Sequence, residues 1–167
     1  IAGSCSLATN GQVAAWREAR PAFRVTPAAL AAGEAVVEQA VDWAAPMLGR
    51  EPMLIYSTSP ADEVKAAQSS LGVDQAGQLV EGALAEIARR LYERGARCFV
   101  VAGGEVSGAV VSALGVGMLR IGGRIDPGVP WTVATGGVTE PLALALKSGN
   151  FGGVDFFEKA LRLQGRV

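Results

Sequence analysis

The chain has 167 residues, half of them hydrophobic, and its 15 Lys and Arg against 16 Asp and Glu leave a formal net charge of −1. Such a chain buries one core without disulfides or metal, and its charge balance excludes a general nucleic-acid or membrane-surface role. With no histidine, Ser-His-Asp and Cys-His catalysis, His-rich zinc sites and imidazole bases are excluded as well, leaving carboxylates, lysine, hydroxyls and backbone amides for any chemistry.

Ile1-Ala2-Gly3-Ser4 reads as the end of a strand entering a glycine turn. With no Met before it and no room for the rest of that strand, the sequence reads as part of a longer polypeptide cut just upstream. A helix is expected over residues 7–19, with Ser6 placed to cap it and Val13 and Trp16 on one face. A short strand follows over 22–25. Thr26-Pro27 then opens a helix in which Leu30, Val37, Val41 and Ala44 recur at helical spacing up to Pro46. Residues 52–57 form a compact apolar strand bounded by Pro60, and 62–70 a short helix.

The strongest periodicity lies in 75–94, where Ala76, Leu79, Val80, Ala83, Leu84, Ile87, Ala88 and Leu91 make one stripe and Gly95 ends it. Residues 98–102 are a continuously apolar strand, as in parallel sheets buried on both faces, and they run into Gly103-Gly104 and a helix over 105–113. Short strands are expected over 118–121, 131–134 and 142–146, and a last helix over 154–163. The recurring strand, glycine turn and helix predict an α/β fold. The expected form is a Rossmann-like three-layer sandwich, with a mostly parallel sheet, helices on both faces and glycine-rich loops at the carboxyl ends of strands.

Cys5 and Cys98 are too few and too far apart for a disulfide framework or a metal knuckle, so both are expected to be small buried residues in a reduced, cytoplasmic setting. No run approaches the roughly 18 apolar residues of a membrane span, and no signal peptide pattern opens the chain. Thirteen of the 22 glycines lie between Gly103 and Gly153, which points to loops that approach a ligand closely. Lys147 is the only lysine in that stretch.

Three turns could hold an anion. Gly103-Gly104-Glu105-Val106-Ser107-Gly108 lies between a strand and a helix, where backbone N–H groups and the positive helix end form either an anion site or merely a tight turn. It has neither the GxGxxG nor the P-loop pattern, since no glycine here precedes a lysine. Lys147-Ser148-Gly149-Asn150 repeats the arrangement after the strand at 142–146 and adds a cation and a hydroxyl. A lysine at the end of a buried strand calls for an anionic partner, which makes Lys147 a candidate phosphate neutraliser. Gly3-Ser4-Cys5-Ser6 is the third turn, with capping by Ser6 as the alternative to ligand contact. Residues 120–131 read as a turn-rich connection whose Ile125 and Trp131 either wall an adenine pocket or pack a loop.

GSCS (3–6), VAGGEVSG (101–108), IDPGVPW (125–131) and LALKSGNFGGVDFF (144–157) together resemble the C-terminal nucleotide-binding domain of the four-carbon acid-sugar kinases, a family that includes 3-oxo-tetronate, threonate and erythronate kinases. The resemblance covers nearly the whole chain. It implies one nucleotide-binding domain over 1–167, preceded in the same polypeptide by an N-terminal domain that binds the small acid sugar and supplies the base. It further implies ATP and Mg²⁺ as cofactors and transfer of the γ-phosphate to the terminal 4-hydroxyl. Neither nucleic acid nor membrane is implied as a partner, and a homodimer is compatible. Nucleotide contacts are carried over to Ser4 or Ser6, to Gly103, Gly104, Glu105 and Val106 with the adjoining Ser107, and to Gly149 with the adjoining Ser148. No catalytic residue or metal ligand is assigned to this chain. Val106 stands where the family usually has Thr, so the contact there is either made by the backbone or weakened. Two rivals remain: an NAD-binding oxidoreductase domain, with Asp126 near the spacing expected of a ribose-binding acid, and a non-catalytic ligand-binding module.

Overall fold

The computed structural model describes residues 1–165. Its elements run α1 (Leu7–Arg17), β1 (Ala22–Arg24), α2 (Pro27–Ala31), α3 (Val36–Ala44), β2 (Leu54–Tyr56), α4 (Ala61–Leu71), α5 (Val73–Glu93), β3 (Cys98–Ala102), α6 (Gly104–Ala113), β4 (Met118–Asp126), β5 (Val129–Gly136), β6 (Leu142–Lys147) and α7 (Phe156–Leu163). Each expected element is present, with two rearrangements. The helix expected from Pro27 to Pro46 is two helices, because Gly33 adopts φ +72° and ends α2 in the left-handed conformation that glycine tolerates best. The expected connection over 120–131 is a hairpin, in which β4 runs to Asp126, Pro127-Gly128 makes the turn and Asp126 pairs with Val129. Paired glycines and a Pro-Gly step hid the continuation past residue 121 of a strand whose residues 118–124 are mostly exposed.

Ala2 joins the sheet together. It bridges Tyr56 on one side and Ala102 on the other, both in parallel. Its N–H donates to Ile55 O at 3.0 Å and its carbonyl accepts from Ser57 N at 2.8 Å. The sheet order is therefore β1, β2, Ala2, β3, β6, β5, β4. Pairing is parallel from β1 to β6 and antiparallel from β6 through β5 to β4. The expectation of a mostly parallel sheet thus holds for one side and gives way to antiparallel pairing on the other.

Alternation along the strands divides the core in two, as period-2 side chains require. Ile55, Val101 and Leu144 face α3, α5 and α6, where they meet Val41, Leu84, Ile87 and Val110. Leu54, Tyr56, Val100 and Ala145 face the opposite way, toward Val13 and Trp16 of α1 and Phe156 and Phe157 of α7. Helices therefore cover both faces of the sheet. Ile125 and Trp131 belong to this second core, and Trp131 Nε1 donates to Ala160 O at 3.1 Å, so the packing reading of these two residues is the correct one. Cys5 is exposed and Cys98 half-buried, which corrects the expectation that both are buried. Among the described residues no helix is long and apolar enough to cross a membrane.

Leu84, fully buried, and Ile121, 75% exposed on the edge strand, should respond oppositely to truncation. Leu84→Ala is expected to cost roughly 2–5 kcal/mol, and Ile121→Ala no more than about 0.5 kcal/mol, in urea unfolding at neutral pH.

Candidate functional site

Parallel strands end together, so the turns that follow β1, β2, Ala2, β3 and β6 gather at one edge of the sheet. There they line a cleft of about 950 Å³ whose remaining walls come from α2, α4 and α5. A second cavity of about 200 Å³ lies at the opposite strand ends, around Leu48, Arg97 and Leu161. The three turns singled out in the sequence meet in the larger cleft: Ser4, Ser6, Gly103, Gly104, Glu105, Val106, Ser148 and Gly149 all line it.

The first turn is anchored by Gly3 and Ser4, whose N–H groups donate to Ala102 O at 2.9 and 3.1 Å. Ser6 then caps α1, accepting from Thr9 N at 3.2 Å. The second turn is tied to the third, since Gly103 N donates to Lys147 O at 2.9 Å. Helix α6 begins at Gly104 with no side-chain cap. The leading N–H groups of a helix have no intrahelical acceptor, so those of Gly104, Glu105 and Val106 and the positive helix end are open to an anion in the cleft. Val106 is only 4% exposed and its side chain packs in the core. Position 106 therefore offers a ligand its backbone and not its side chain.

Lys147, the candidate phosphate neutraliser, is buried and is not among the residues lining the cleft. Its side chain is 1% exposed and its Nζ donates to Thr9 Oγ1 at 2.9 Å, Gly149 O at 3.0 Å and Ser148 O at 3.2 Å. The ammonium lies beneath the third turn, near the Phe156 ring at 5.9 Å, and the cleft is on the other side of that turn. Burial pushes its pKa down to about 8. Gly149 O is the meeting point, accepting also from Ser6 Oγ at 2.6 Å and Thr9 Oγ1 at 2.9 Å. The first and third turns are pressed together there, and a Cβ on Gly149 would collide with Ser4 Oγ. Ser107 does not line the cleft, and its Oγ is buried without a partner among the described residues.

Sequence reasoning missed the β1–β2 end of the cleft. Arg24, Ser57 and Ser59 line it, with Thr26 and Pro27 from the start of α2 and Glu63 and Gln68 from α4. Arg24 and Ser57 each stand at the carboxyl end of an expected strand, the criterion that had found the glycine turns, but no glycine drew attention to them. Asp126, the acid required by the NAD reading, is engaged elsewhere. It pairs with Lys159 and accepts from Gly153 N at 3.2 Å, and the Lys159 ammonium holds its carboxyl below the usual range.

Residues 1–157 match a family described as a nucleotide-binding C-terminal domain. A 3-oxo-tetronate kinase from Pseudomonas fluorescens is 66% identical over 162 residues, covering 96% of this chain and 37% of that protein. One from Burkholderia multivorans is 63% identical, covering 97% and 37%. A crystal structure of a Haemophilus influenzae protein superposes with a TM-score of 0.89 at 43% identity, over 98% of this chain and 39% of that one. The chain thus spans just over a third of the length of the curated relatives it matches.

The buried ammonium has a signature in stability. Lysine titrates ordinarily at 10.5 and Lys147 at about 8, so between those values the unfolded chain holds more proton and stability from this residue rises with pH. At neutral pH the burial of charge costs roughly 3 kcal/mol. The unfolding free energy of the wild type minus that of Lys147→Met is expected to grow by up to this amount from pH 8 to 10.5, measured in urea. A difference that stays flat would place the ammonium in solvent.

Proposed function

This chain belongs to the nucleotide-binding C-terminal domain family of the four-carbon acid-sugar kinases, and we propose that its cleft holds MgATP for transfer of the γ-phosphate to the terminal hydroxyl of a four-carbon acid sugar. The observation that carries this reading is the convergence of three turns on one cleft, with the uncapped start of α6 among them. Phosphoryl transfer asks chiefly for positioning and charge neutralisation, which backbone amides supply without histidine. The amides of Gly104, Glu105 and Val106 would hold phosphate oxygens. Because position 106 offers only its backbone, valine in place of the family's usual threonine costs no ligand contact. Lys147 acts from behind, fixing the third turn and adding positive potential through a poorly screened interior. Ala66, Ala67, Ala76 and Val80 of α4 and α5 give the cleft an apolar wall suited to a base.

Mg²⁺ fits the donor set. Among the described residues no group of three acidic or sulfur ligands could cage a metal, and magnesium bound with nucleotides is commonly held by phosphates, waters and one or two carboxylates. Glu105, exposed on the cleft beside the open amides, is the carboxylate placed to serve. When bound, the ion neutralises phosphate charge. Most of the contacts to the acid sugar, and the base that activates its hydroxyl, belong, in this reading, to a domain preceding this one in the same polypeptide. Closure of the two halves would complete the site, so this chain alone binds nucleotide and turns nothing over.

Thermal-shift titration tests the reading. Ligand at about 100 times its Kd adds about 2.7 kcal/mol, which raises the Tm of a domain of this size by several degrees. MgATP and MgADP are expected to do so and NADH not. Gly104→Val should abolish the rise while keeping the unliganded Tm, because a Cβ at this exposed position has no atom within 4 Å beyond its chain neighbours and its own helix backbone. A rise with NADH alone, or phosphorylation of threonate by this chain by itself, would contradict the proposal.

A further inference from the structure

The β1–β2 end of the cleft carries groups that the three glycine turns do not account for. Ser57 follows β2 and is 4% exposed; its N–H is spent on Ala2 O at 2.8 Å, but its Oγ has no hydrogen-bond partner among the described residues. Buried hydroxyls are ordinarily hydrogen-bonded, so an unpaired one among the residues lining a cleft points to a ligand oxygen as its partner. Two residues on, Ser59 is 7% exposed. Its Oγ donates to Ser57 O at 3.3 Å and accepts from Arg24 Nη2 at 3.0 Å, while its carbonyl accepts from Asn10 Nδ2 of α1 at 3.2 Å. The 57–59 turn is thereby held against the first turn of α1 as a built element.

Charge selects the kind of ligand. Among the described residues lining the cleft, Arg24 is the sole cation, against Glu63, Glu81 and Glu105. Lys147 is not among the residues lining the cleft, so an anion entering it finds one side-chain cation among the described lining residues, the Arg24 guanidinium, which is bonded to Ser59 two residues from Ser57. Its present partner is Glu63 on α4, and the two side chains are 39% and 48% exposed. Exposed ion pairs contribute little to stability, so exchanging Glu63 for a ligand anion costs little. The guanidinium fork suits an oxyanion with two oxygens in one plane.

We propose that Arg24, Ser57 and Ser59 form a second anion subsite, distinct from the amides of α6, that receives a phosphoryl or carboxylate group. That this anion is the nucleotide's distal phosphate or the acid sugar's carboxylate rests on the function proposed above; that the corner binds an anion does not. Arg24 binds the anion through its guanidinium after releasing Glu63, and Ser57 Oγ donates to one of the same oxygens.

Calorimetric titration of this chain with MgATP, AMP, pyrophosphate and threonate tests it. If the source is phosphoryl, Arg24→Met weakens MgATP and pyrophosphate at least tenfold and AMP less than twofold, and Ser57→Ala weakens them several-fold. If it is the carboxylate, the same variants lose threonate and keep MgATP. Either pattern supports the subsite. Glu63→Gln should tighten the same ligand several-fold by freeing Arg24, which a purely structural ion pair would not do. Arg24→Met and Ser57→Ala binding all four ligands as the wild type does would overturn the proposal, as would a wild type that binds none. A wild type that binds pyrophosphate but no nucleotide, with pyrophosphate lost in Arg24→Met, would refute the nucleotide reading and keep the subsite.

Discussion

Lys147 Nζ shares its protons among Thr9 Oγ1, Ser148 O and Gly149 O in a space closed to solvent, and the shape of the cleft's edge depends on that junction. A buried ammonium without a carboxylate is expensive unless each proton finds an acceptor. Meeting that demand pulls two backbone carbonyls of the third turn toward α1, and Ser6 and Thr9 complete the contact from the other side. The second turn is drawn in by Gly103 N on Lys147 O. Three segments distant in sequence are thus fixed to one residue, which frees their outward amides for a ligand.

Much of this was legible in the sequence because strand, glycine turn and helix leave a local pattern, and strand ends of a parallel sheet must assemble at one edge. The direction of Lys147 was not read, although parity could have given it. Lys147 shares the register face of Ala143 and Ala145 on β6, the face covered by α1 and α7, so it points into the second core and not toward α5 and α6. Scarcity of charge drew attention to Lys147 without saying on which side of the turn its ammonium would lie. The continuation of β4 beyond residue 121, and with it the tight hairpin to β5, was missed because an exposed strand lacks the apolar alternation that marks a buried one. Ala2 could be read as a strand end, but its two-sided pairing depends on residues more than 50 positions away.

The proposed phosphate contacts rest mostly on backbone. In the proposed function the cleft's donors are amides at a helix start with serine hydroxyls beside them, and among the described lining residues the one side-chain cation, Arg24, stands against three carboxylates. Such a cleft carries net negative side-chain charge, so a polyphosphate is better received there with its own divalent ion than alone. Side chains around α6 should therefore matter less to binding than changes that move the turns, and valine at position 106, packed in the core, leaves the backbone donor there in place.

Amide chemical shifts of the ¹⁵N-labelled chain during titration with MgADP test the central claim most directly. The account predicts the largest changes at Gly104, Glu105, Val106 and Gly149, with Asp126 and Lys159 unmoved. Changes confined to the opposite cavity around Leu48 and Arg97, or to the Asp126–Lys159 pair, would contradict it.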